Sequence, residues 1–169
     1  MLVKDLGSVY KGNNFFLPKD EVIKFYLDNS IPNPLNFTFT QKQRFCNQNI
    51  DNQISETNFY HFLNRLNRKV FGNSCVRFNK GIKSFVVREY DEIKRHHLHT
   101  ILETPKHIEL IDYVTLINEC WLDTDWGYKE THYEKPINED REIGWLNYIL
   151  KNYNHQTNFD CIDWSNTKL

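Results

Sequence analysis

The chain has 169 residues, a net charge of −1 at pH 7, 40% hydrophobic and 15% aromatic residues. That length suits one domain over residues 1–169, and that much apolar and aromatic side chain excludes a disordered chain. No apolar run approaches the ~20 residues that span a bilayer, residues 1–7 hold no secretory apolar core, and the absence of a Gly-x-x-x-x-Gly-Lys loop argues against an ATPase or helicase.

Residues 1–30 read as an N-terminal extension, with a helix from Asp20 to Leu27 started by Pro18 and by acids in its first turn. Pro32 and Pro34 break the chain. Leu35 to Thr40 alternates Leu35, Phe37 and Phe39 with Asn36, Thr38 and Thr40, which predicts a central strand. Residues 41–55 are polar and read as a loop. Phe59, Phe62, Leu63, Leu66 and Val70 fall on one face of a 3.6-residue repeat and predict a helix from Thr57 to Phe71, ended by Gly72. Val76 to Phe78 reads as a short strand, followed by a turn at 79–81 and a strand from Lys83 to Glu89.

A turn through Asp91 to Lys94 returns the chain as a hairpin strand carrying His97-Leu98-His99. Alternation puts His97 and His99 on one face and Leu98 on the other. Thr104 and Pro105 predict the cap and first turn of a helix to Cys120. Trp121 to Trp126 reads as irregular, and Tyr128 to Ile137 as a last strand, whose His132 is read as a core or surface residue, with approach to the histidine pair the alternative. Asn138 caps a helix expected to run to Tyr153, and residues 154–169 form a tail. Strands in a hairpin with helices on one side predict an α+β fold around a central antiparallel sheet of about five strands flanked by helices.

The four cysteines are far apart and read as reduced thiols. Charge is uneven. Residues 61–106 hold ten bases against four acids, and residues 107–169 hold five bases against twelve acids. A local basic face binds phosphates even on a neutral protein.

Glu89 on one strand, His97-Leu98-His99 on the next and Tyr148-x-x-Lys151 on a later helix together resemble the HUH endonucleases: rolling-circle replication initiators, relaxases and single-strand transposases. The likeness covers roughly residues 33–155, and Leu35 to Thr40 fits the early strand of that family. The departures are an Asp91-Glu92-Ile93-Lys94 turn where a Gly-rich one is usual, and a near-neutral isoelectric point. The resemblance implies a Rep-type, ferredoxin-like sandwich that nicks and rejoins single-stranded DNA through a 5′-phosphotyrosine, at the origin of a phage, virus or plasmid.

It further implies Tyr148 as nucleophile, Lys151 as its cationic neighbour, and Glu89, His97 and His99 as ligands of Mn2+ or Mg2+. Glu92 is the rival ligand. Tyr153 is the rival nucleophile, but it lies about 140° around the helix from Tyr148, so one tyrosine is expected to act. Arg65, Arg68, Lys69, Arg88, Arg95 and His96 are expected to contact DNA, with His96 at the surface because its parity is opposite to that of the pair. The expected partners are single-stranded DNA and host replication proteins, including a helicase acting in trans, in the cytoplasm and away from membranes. The alternatives are a metal-free nucleic-acid-binding module on the same fold, or a transposase or relaxase of the same chemistry.

Overall fold

The computed structural model describes residues 17–89, 96–153 and 159–169. Its elements, in chain order, are α1 (Lys19–Asp28), β1 (Pro34–Gln41), β2 (Arg44–Phe45), β3 (Gln48–Asn49), α2 (Asn52–Phe71), α3 (Ser74–Arg77), β4 (Ser84–Glu89), β5 (His97–Glu103), α4 (Leu110–Leu122), β6 (Gly127–Glu134), α5 (Glu139–Ile149) and a 3-10 turn (Phe159–Cys161). The main sheet is antiparallel, in the order β4-β5-β1-β6. It has four strands rather than about five, because Val76 lies in the single helical turn α3. β2 and β3 form a separate two-residue hairpin within the stretch expected to be loop.

Helices cover both faces of the sheet, not one. On the first face Phe37, Phe39, Leu98 and Leu102 pack against Phe59, Phe62 and Leu66 of α2 and Ile117 and Trp121 of α4. Phe39 lies 4.9 Å from Phe62 and 4.8 Å from Trp121, ring centre to ring centre. On the second face Phe85, Val87 and Ile101 pack against Val22 and Tyr26 of α1 and Leu146 and Ile149 of α5. The period-2 alternation of β1, β4 and β5 therefore feeds two apolar layers, and the polar residues of the second face are left for a site.

Several boundaries differ from the sequence reading. α2 starts five residues early because Asp51 caps it, accepting the Ile54 N–H at 2.7 Å. Thr104 does not cap α4; its N–H pairs with Asn33 O at 3.0 Å, so the chain stays extended and the helix begins at Leu110. The last strand stops at Glu134. α5 stops at Ile149, four residues short of the expected end, where Lys151 N bonds Tyr148 O in a tighter turn.

Residues 159–169 return to β4. Ser84 and Lys168 exchange backbone hydrogen bonds of 2.8 and 2.7 Å, and Asp163 N donates to Val86 O. The edge of β4 is thereby covered. All four cysteines carry free thiols, and no helix among the described residues is long and apolar enough to cross a membrane.

Candidate active site

Strand register builds the floor of the site. Val87, His99, Thr38 and His132 are aligned across β4, β5, β1 and β6, and Glu89, His97 and Thr40 form the next row. α5 crosses this face and contributes Trp145, Tyr148 and, just beyond its end, Lys151. Together Thr38, Glu89, His97, His99, His132, Trp145, Tyr148 and Lys151 line one open hollow of about 420 Å³.

His99 is its centre, with both ring nitrogens engaged. Nε2 lies 2.6 Å from Glu89 Oε2 and Nδ1 lies 3.0 Å from Thr38 Oγ1. Burial holds the His99 imidazole below the ordinary histidine range, outweighing the pull of Glu89 towards the charged form. For Glu89, burial pushes the carboxyl up, but hydrogen bonds from His99 and Lys151 outweigh it and bring it below the ordinary range. A carboxylate has no proton to give. His99 Nε2–H therefore donates to Glu89, and the Thr38 hydroxyl donates to Nδ1. Lys151 Nζ is 2.9 Å from Glu89 Oε1; burial opposes its charge, and the carboxylate more than restores it.

Tyr148 is 47% exposed, so its ring is not walled into the core. It meets His99 edge to face at 5.5 Å between ring centres, and Lys151 Nζ stands 4.2 Å from its own ring centre. Tyr153 points away, its hydroxyl donating to Leu17 O at 2.7 Å, so among the described residues one tyrosine, Tyr148, lines the hollow. Trp145 packs 5.8 Å from His99 and 5.4 Å from Tyr148. Sequence reasoning does not single out Trp145, although its i, i+3 spacing from Tyr148 places both on one helix face.

Glu89, His97 and His99 share the hollow, with the two imidazole rings 6.3 Å apart. Among the described residues no group of three or more His, Cys, Asp or Glu side chains is gathered closely enough to hold a metal ion. The site is built here as a hydrogen-bonded cluster, in which Glu89 and His99 satisfy each other.

The expected DNA contacts are dispersed. Arg65, Arg68 and Lys69 lie on α2, across the sheet from the hollow, and Arg65 pairs with Asp123 at 2.5 Å. Arg88 points to the face opposite Glu89 and is held by Asp160 O at 2.7 Å, with Glu56 at 3.5 Å. His96, expected at the surface, is buried, because its carbonyl takes Gln41 N–H at 2.9 Å and draws it into the sheet. Arg95, Glu92 and the Asp91–Lys94 turn lie outside the described residues. No protein-family model matches the chain, and the comparisons with curated proteins and with solved structures likewise returned no match.

Proposed function

We propose that the chain is a metal-dependent enzyme of the HUH type, which nicks and rejoins single-stranded DNA through Tyr148. One observation carries the reading: an accessible phenol on a helix end, a lysine, three imidazoles and a carboxylate, drawn from residues 89 to 151, line a single hollow. The connectivity supports it. β1-α2-β4-β5-α4-β6 in the order β4-β5-β1-β6 is the split β-α-β, ferredoxin-like arrangement, with the histidine strand internal.

Glu89, His97 and His99 are a carboxylate and two imidazoles, a donor set suited to Mn2+ and tolerated by Mg2+. A bound divalent ion supplies Lewis-acid polarisation of a phosphate oxygen. The chain's own groups do the rest. Tyr148 oxygen attacks phosphorus, the phenol proton leaves to solvent, and the bond to O3′ breaks. The products are a 5′-phosphotyrosine and a 3′-hydroxyl that has taken a proton from water. Lys151 stabilises the anionic phenol oxygen and the phosphate beside it. The reverse attack by a 3′-hydroxyl reseals the strand without ATP. The biological role that follows is initiation of rolling-circle replication, with single-stranded origin DNA as substrate and a helicase supplied in trans.

The test is an origin-type hairpin oligonucleotide incubated with Mn2+ and resolved on a denaturing gel. A covalent protein–DNA band is expected, and its absence in Tyr148→Phe. No band with the native chain, or an undiminished band in that variant, rejects the proposal.

A second reading is a metal-free binding module, favoured by the closed Glu89–His99 pair. Calorimetry separates the two: the enzyme binds Mn2+ and loses it in His97→Ala, whereas the module shows salt-sensitive DNA binding without a metal effect.

A further inference from the structure

We infer that the chain carries a second site, remote from the hollow, which binds the phosphate backbone of single-stranded nucleic acid. It is a pocket of about 470 Å³ between the C-terminal half of α2, the loop after α3 and the C-terminal segment. Three cations from three separate parts of the chain line it: Arg68, Lys80 and Lys168. No carboxylate lines it. Among the described residues none of the three makes an ion pair, whereas nearby Arg65 is taken up by Asp123. Arg68 also borders a neighbouring recess that holds Glu119 and Asp123, but the three cations lining this pocket outnumber any acid in it and create a positive potential that a polyanion relieves.

The remaining wall is mixed, with Cys75, Val76 and Gly81 beside three amides. Asn64, Asn67 and Asn79 supply amides. Asn67 is 7% exposed and is fixed by accepting Ile82 N–H at 2.7 Å, so its amide is a rigid part of the wall. Phe78 adjoins Asn79 in the chain and is 71% exposed, an apolar ring without cover. Cations for phosphates and, one residue along the chain from Asn79, an open ring for base stacking are the two components of sequence-tolerant single-strand binding. An anionic membrane would use the same charges, but it needs a convex apolar face rather than an amide-lined recess.

The site is independent of the catalytic reading. Lys168 pairs with Ser84, the first residue of β4, whereas Glu89 is the last. The two lie about 17 Å apart along the strand and point to opposite faces.

Fluorescence anisotropy with a labelled oligothymidylate in EDTA tests it on the full chain. Salt-dependent binding is expected. Replacing all three cations by alanine should weaken it at least tenfold and reduce the log–log salt slope by about 2, since each phosphate contact contributes about 0.7 on a single strand. Phe78→Ser should weaken it about fivefold or more, and Lys129→Ala, on the exposed far edge strand β6, should leave it unchanged. Unchanged affinity in the triple variant overturns the site, as does tighter binding of the native chain to phosphatidylserine vesicles than to the oligonucleotide. A missing covalent adduct in the Mn2+ assay leaves this site standing. Unchanged affinity here overturns the site even where the adduct forms.

Discussion

At the scale of single residues, Thr38 decides how His99 presents itself. Its hydroxyl is both donor and acceptor, so it can serve His99 Nδ1 whichever nitrogen carries the proton. If the proposed function holds, Thr38→Val should lower Mn2+ affinity about tenfold while Thr38→Ser stays near the native value, measured by calorimetry. Protons give a second test. His99 and Glu89 both hold their protons less tightly than ordinary residues of their kind. The unfolded chain therefore binds more protons on the acid side, and stability must fall as pH drops. For His99 the loss begins as pH falls through about 6.5, the unfolded value, and for Glu89 as it falls through about 4.5. Melting temperature should decline from about pH 7.5 to about pH 5.5, and His99→Gln should flatten part of that decline. That Glu89, His97, His99, Tyr148 and Lys151 would face one hollow was legible because each obeys a local period: two for the strands, i, i+3 for the helix end. Thr38's bond to His99 was not, since it depends on the register of strands 61 positions apart. Nor was the burial of His96, which parity alone assigns to the outside.

At the scale of elements, β6 hangs on one glycine. A Cβ at Gly127 would stand 2.1 Å from Trp121 O and 2.9 Å from Thr124 Oγ1, and the backbone carbonyl cannot swing aside. Gly127→Ala should therefore cost about 1–3 kcal/mol or more in denaturant unfolding, and should displace the strand that carries His132. Asp51→Ala should remove the cap of α2 at a cost of about 1 kcal/mol. Long periodic segments such as α2 and β1 declared themselves in the sequence. The errors fell where local preference met a missing partner. Val76 and Phe78 favour a strand, but no neighbouring strand offers a ladder there, and residues 74–77 close into one helical turn. The polar stretch 41–55 hid a hairpin whose turn residues Cys46 and Asn47 both adopt positive φ, 46° and 63°, without a glycine to advertise it.

At the scale of the whole molecule, two apolar layers sandwich one sheet, and the returning segment 159–169 closes its β4 side. That closure predicts a measurable liability. Removing residues 159–169 would bare the backbone of β4 and the apolar surface around Phe85 and Val87, and light scattering should then rise with concentration where the intact chain stays clear. Composition and period gave the α+β class and the central place of β1. α1 and α5 were both expected as helices, but not on the second face, because α1 shows only a short apolar stripe and α5 a mixed one. Those two helices are tied to each other: Tyr26 Oη donates to Glu142 Oε1 at 2.6 Å, and Lys19 Nζ to Asn147 O at 3.1 Å. Tyr148 therefore rides on a strut moored near the other terminus. A partner that tugs on residues 19–28 would shift the phenol over the imidazoles without touching either, making the amino-terminal helix a remote handle on where the ring stands.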